Sequence, residues 1–442
     1  MFGFGLTAAV SQAFNRFGLG GRPDDVIPND AVAWLTSQLS GTDPIIGTGP
    51  TQSNCLQIVN NFQVAPAHSA QQAAARLALN NLLANEQVAY VQAAISTTTP
   101  FHERLVWFWT NHFAVQQASG VIAEGCAGDF VRSAIRPFVN DTFVNMLLAV
   151  MQHPAMLDSL NNDVSVGPQS PHGQGSGAGI NENLSRETLE LFTVGLGVGG
   201  TNFTQADVDA LAYMLTGWTV STVNPSQGFV IAESWHQPGP QTMLGQTYPG
   251  SVFDAFEALE FLGTHPQTYL HIATKMVAHF CSDSPADSEV QAVVNALTAS
   301  GGSLSAAAQA IIALPRAWDV QTKLRTPQDF ILAASRAVAA PNYDTKSAML
   351  DIALLGQPVW SPPFPNGWSD MGSDWASPAQ MMLRTNWTNT FCNGFKNTDP
   401  VLTVTTALGP LISPQTTAML SRISATHDKL TVLFCSPEFQ RR

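Results

Sequence analysis

A mainly α-helical fold, one large multi-helix array around a single core with long loops, is predicted by three observations. Apolar residues recur at helical spacing, as in Val32, Leu35 and Leu39 or in Val208, Leu211, Ala212 and Leu215. The stretch from Gln71 to Ser96 is rich in Ala, Leu and Gln and free of Gly and Pro, the composition of one long helix. Candidate β structure is confined to Phe229–Gly245, which reads as one small hairpin around Pro238-Gly239.

Taken in order, Phe14-Asn15-Arg16-Phe17-Gly18 reads as a helix end running into a Gly turn, and a helix follows from about Asn29 to Leu39. Thr42 to Thr51 is loop. After the Gln71–Ser96 helix, Thr99-Pro100 opens a segment containing Trp107-Phe108-Trp109-Thr110-Asn111-His112-Phe113. It is aromatic nearly all round, so it should be buried. Asp129 to Met151 is helical and broken at Pro137, with Val131, Ile135, Phe143, Met146 and Leu147 as core candidates. Residues 161–180 form a Gly/Ser/Pro loop, a candidate sub-boundary within one domain spanning 1–442. Thr204 and Asp207 have capping-box spacing, and Gly217-Trp218 stops the helix they begin. Further helices are expected over 252–262, 267–282, 287–298, 304–313, 326–339, 346–355, 379–390 and 416–424, with an irregular Trp/Pro-rich stretch over 357–375.

Composition narrows the function classes. Apolar residues make up 45%, enough for a sizeable core. Against 19 basic residues stand 32 acidic ones, a net charge of −13 with no basic run, so nucleic acid is not an expected partner. No apolar run reaches bilayer length, so membrane insertion is not expected. Met1–Val10 lacks the basic start of a secretory signal. The few Lys and the sequons at Asn140, Asn183, Asn202 and Asn386 still suit a secreted or periplasmic protein. The five cysteines form no CxxC pair; buried free thiols or one or two disulfides both remain open.

The stretch that carries chemistry is Asn181-Glu182-Asn183-Leu184-Ser185-Arg186-Glu187-Thr188-Leu189-Glu190, dense in charge for a chain only 12% charged. A helix is predicted from Glu182 or Asn183 to Gly195 or Gly197, placing Asn183 four residues from Glu187, Arg186 four from Glu190 and Glu187 three from Glu190. Carboxylates this close shift one another's proton affinity, as acid/base sites require. Glu187 is the expected acid/base, Glu182 its partner, and Glu190 and Arg186 complete the catalytic group; Asn181 and Asn183 hold substrate. The structural alternative has Glu182 favouring the helix N-terminus while Arg186 neutralises Glu190. His112 and His236 are candidates for substrate binding or, in a third reading, for a metal-dependent site, although no HExxH pattern supports it. Trp218 and Trp368, with Trp235, Trp360 and Trp375, fall in or beside predicted loops and are candidate platforms for sugar rings. No GxxxxGK[ST] run is present and no cofactor is expected.

Several separated motifs resemble the family known as domain of unknown function 1800: Phe14-Asn15-Arg16-Phe17-Gly18, Trp107 to Phe113, Asn181 to Leu191, and Leu215-Thr216-Gly217-Trp218. To these are added His236 with Pro238-Gly239, Lys275 with His279-Phe280, and Pro365-Asn366-Gly367-Trp368 with Asp374-Trp375. The chain departs from the family's pattern at Tyr213-Met214, Gln237 and Gln241. The resemblance implies an exported bacterial protein and names no reaction. From the residues, the expected function is a polysaccharide-active glycoside hydrolase or lyase acting on a polysaccharide or oligosaccharide. The alternatives are a non-catalytic glycan-binding or assembly protein, and the metal-dependent enzyme.

Overall fold

The computed structural model describes residues 6–41, 43–197, 199–319, 322–338 and 344–442. The readings that touch Met1–Gly5, Thr42 and Ala339 fall outside these residues. The architecture is mainly α, as expected. The long helix runs over Ala70–Ser96 with Ser69 as its cap, accepting from the Gln72 amide. The aromatic helix runs over Pro100–His112, with proline in its first turn where no amide partner is lost. Buried residues from Val10 to Phe439 form one contiguous core, in which Val131, Ile135, Phe143, Met146 and Leu147 all take part.

Local differences from the sequence reading have physical causes. In the second helix, Ala31–Ser37, Leu35 is fully buried but Val32 is 49% exposed, because Ala31 holds the inward position one turn before Leu35. Around Pro137 the chain passes through a π-turn, Val131–Ile135, and a 3-10 turn, Arg136–Phe138, before restarting at Phe143–Met151. The β structure forms two hairpins where one was expected. Strand β1 (Trp218–Ser221) pairs with β2 (Gly228–Ile231), and β3 (Gln241–Met243) with β4 (Gln246–Tyr248), so Pro238-Gly239 lies between hairpins rather than at a tip. The 161–180 loop is tied down: it contains a short helix, Pro171–Ser176, and Gly167 N–H donates to the Trp235 carbonyl at 2.8 Å. Gln237 secures it further, its side-chain oxygen accepting from the Gln169 amide at 3.0 Å.

The Phe14–Gly18 motif is a seam of the core. The buried Arg16 guanidinium donates to the carbonyls of Phe280 and Cys281 at 2.9 Å each, and Asn15 donates to Ala407 O at 3.0 Å. A buried guanidinium is tolerated where its donors are saturated in this way. Arg104 and Arg442 converge on Asp329, each at 2.9 Å, whose carboxyl they hold far below the usual range against burial. The five cysteines are free thiols, four of them buried. Among the described residues, no helix is long and apolar enough to cross a membrane.

Candidate functional site

The acidic segment folds as a short α-helix, Asn183–Glu187, which widens at once into a π-turn, Thr188–Phe192. Asn181 starts it: its side-chain oxygen accepts from the Asn183 amide at 2.9 Å, and its own amide donates to Ser165 Oγ at 3.0 Å. Leu184, Ser185, Thr188, Leu189 and Phe192 face the core, leaving the charged residues half-buried and Asn183 exposed. Glycine ends the segment: Gly195 adopts φ 69° and its amide donates to Leu189 O at 2.9 Å.

The charges on this helix divide into two sets. Arg186 pairs with Glu182 at 2.9 Å, not with Glu190, and Gln205 bridges the same two side chains from the neighbouring helix. Glu182 is thereby engaged with a cation. The Glu187 carboxyl takes part in no hydrogen bond or ion pair among the described residues. Half-burial raises its proton affinity, nearby Glu190 raises it further, and Arg186 opposes both.

A second group of side chains, which the acidic motif did not point to, meets the far end of the π-turn. The Pro266–Phe280 helix presents His271, Lys275 and His279 at successive i, i+4 positions, hence on one face. His271 Nε2 lies 3.0 Å from Leu191 O, and His112 Nε2, on the aromatic helix, lies 3.1 Å from Phe192 O. Carbonyl oxygens only accept, so both imidazoles carry their proton on Nε2 and turn Nδ1 lone pairs elsewhere. The rings are 6.2 Å apart. Burial holds both neutral, with Lys275 adding to the effect, and brings His271 down to about 4. Gly195 also matters here, because a Cβ on it would stand 2.7 Å from His271 Nδ1. Lys275 is brought down to about 8 by burial, against the pull of Asp370. His279 Nδ1 is 2.7 Å from Asp370 Oδ1. Asp370 is held near 2, chiefly by His279 against burial.

The remaining candidates are spread over the molecule. Asn111 clamps the backbone of Trp368 by two hydrogen bonds, 2.7 and 2.9 Å, and Gly367 at φ 76° permits this approach, since a Cβ there would meet Asn111 O at 2.3 Å. Trp368 is half-buried with its ring 6.0 Å from Trp375. Trp218 is fully buried against Phe229 and Phe256, so its ring offers no face to a ligand. Trp360 and Trp375 are buried too, whereas Trp235, beside the 161–180 loop, is half-buried and stacked on His172 at 5.1 Å. His236 is buried and donates from Nδ1 to Thr216 O at 3.2 Å. His112 is buried among Trp109, Phe113, Phe143 and Phe192, and no ring contact or hydrogen bond joins it to His236 among the described residues.

With this geometry in view, the comparisons with known proteins decide one point. A family model described as "Protein of unknown function (DUF1800)" matches residues 3–441. The chain belongs to this family. No curated protein and no solved structure matches. In this member of the family the widely separated motifs converge: Asn111-His112, Lys275 with His279, and Gly367-Trp368 meet around Asp370 and the π-turn of the acidic segment. His271 and Asp370 were absent from the sequence reading. The spacing of His271, Lys275 and His279 was a legible signal for the first; nothing local marks Asp370 as the partner of His279.

Proposed function

We propose that the protein is an exported polysaccharide-active enzyme, a glycoside hydrolase or lyase, in which Glu187 carries the catalytic proton. The observation that supports this is the state of Glu187: half-buried beside Glu190, without a hydrogen-bonding partner among the described residues, and with its proton affinity raised. A carboxyl in that state keeps its proton to higher pH than a free glutamate, the direction a general acid needs to protonate a leaving oxygen, while an ionised neighbour balances the charge that develops. Glu190 takes the partner role first given to Glu182, because Glu182 is engaged with Arg186 and Gln205. Arg186, so fixed, and the exposed Asn183 serve to hold substrate.

The test is turnover of acidic and neutral polysaccharides by wild type and Glu187→Gln, with and without a chelator. Chain shortening that is insensitive to chelator and falls about 10²–10⁴-fold in the folded variant is the expected result. Undiminished turnover in Glu187→Gln would remove Glu187 from the chemistry. Chelator-sensitive turnover would move the assignment to a metal-dependent enzyme. Absence of turnover on every polymer would favour a non-catalytic glycan-binding or assembly protein.

A further inference from the structure

The face formed by His271, Lys275 and His279 contains hydrogen-bonding atoms that the protein itself leaves unsatisfied. His112 Nδ1 and His279 Nε2 are both buried without a partner, and His112 as a whole is 1% exposed. The Lys275 ammonium enters no ion pair or hydrogen bond among the described residues. Buried polar groups are nearly always paired, so these exceptions ask for an explanation.

The contrast with the other His–Asp pairs is informative. His102 meets Asp43 through Nε2 and Asn140 through Nδ1; His153 meets Asp129 through Nε2 and caps the Ala155 amide through Nδ1; His427 meets Asp428 and Asn389 O. Each of those rings is used at both nitrogens, as a structural histidine should be. Among the described residues, the His279–Asp370 pair is the one whose second nitrogen is buried and idle.

The chemistry of the unfilled partners narrows what would satisfy them. Asp370 faces the Nδ1 side of His279, so that nitrogen carries the proton and Nε2 offers a lone pair when the ring is neutral. His112 and His271 likewise offer Nδ1 lone pairs. Lys275 offers three N–H donors and a positive charge. Its nearby carboxylate, Asp370, is already bonded to His279 at 2.7 Å, while the Asp370 backbone oxygen accepts from Lys323 Nζ at 2.7 Å. A cation would be repelled by Lys275, and an apolar molecule would leave the lone pairs unmatched. A molecule with a carboxylate for the ammonium and hydroxyl donors for the imidazoles satisfies both. Lys275, His271, Trp368 and Asp370 are all partly exposed, whereas His112 is buried.

We propose that this face is a binding site for a hydroxylated carboxylate, of the kind presented by a uronic acid residue, with Lys275 holding the carboxylate and His112 and His279 accepting from hydroxyls. The choice of a sugar acid rests on the glycan reading above, and it names the substrate class as acidic.

Isothermal titration of the full chain with D-glucuronate, D-glucose, acetate and inorganic phosphate tests it. Glucuronate should bind at least ten times more tightly than glucose or acetate, and Lys275→Met should lose that binding at an unchanged or higher melting temperature, since burial already disfavours the ammonium. Lys275→Arg, which keeps the charge, should recover part of it and serves as the readout if the Met variant does not fold. Equal affinity for glucose, or unaltered binding in both Lys275 variants, would overturn the proposal, and phosphate binding more tightly than glucuronate would replace it with a simple oxyanion site. Polymer turnover measured beside glucuronate binding separates the two readings. Glucuronate binding without any polymer turnover leaves this site standing and removes the acid/base assignment, whereas turnover of neutral polymers only, without glucuronate binding, does the reverse.

Discussion

The acidic helix and the basic face of the Pro266–Phe280 helix meet at one π-turn, yet their polar groups are in opposite states. Glu182 and Arg186 are 40% and 39% exposed and paired with each other, so water and a neighbour share the work of solvating them. His112 is buried and His279 half-buried, and each has a buried nitrogen that nothing in the protein satisfies. Between the extremes stands Glu187, half-buried and unpaired. The difference teaches that density of charge along a chain marks what can be solvated, while the costlier and more informative condition is a polar atom withdrawn from water without a partner.

The comparison breaks first where the two regions join. Phe192 is fully buried, and its carbonyl receives His112. Phe192→Ala should destabilise the fold by about 3–5 kcal/mol in urea titration. It should also weaken glucuronate binding in whatever folded fraction remains. A loss near zero would mean that the π-turn is not the joint between the regions.

A smaller effect distinguishes Glu187 from its neighbours. Because its carboxyl has a raised proton affinity in the folded state, its contribution is intact below the ordinary value of 4.5 and is lost as pH rises through the raised value. Glu187→Gln retains the neutral form, so it should melt higher than wild type at about pH 7 and alongside it at about pH 4. Equal melting at both pH values would show that Glu187 is an ordinary solvated carboxylate.

The smallest change belongs to the exposed pair. Glu182→Gln should cost only about 0.3–0.5 kcal/mol, and less in high salt, because the pair is an i, i+4 contact at the surface. A loss several times larger would place Glu182 in a constrained network and return it to the site on equal terms with Glu187.

Much of the fold was legible locally. The long helix over Gln71–Ser96, the Thr99-Pro100 boundary, the Thr204–Asp207 capping box and the core positions from Val131 to Leu147 follow from propensity, capping chemistry and periodicity. The candidate site was legible only in part. Residues 181–190 read as a charged helix, but the pairing of Arg186 with Glu182 rather than Glu190 depends on Gln205 arriving from another helix. Trp218 looked like a loop aromatic because Gly217 precedes it; β1 instead turns it inward onto Phe256. The second hairpin went unseen because its strands are three residues each, too short for alternation to register.

The sequence by itself determined the helical architecture, the family and the places where charge and aromatics concentrate, since each of these is written in neighbouring residues. Which polar atoms are left without partners was decided only by the tertiary structure. His112, Lys275, His279 and Asp370 span more than half the chain, and burial and hydrogen bonding between them exist only once the helices that carry them are packed.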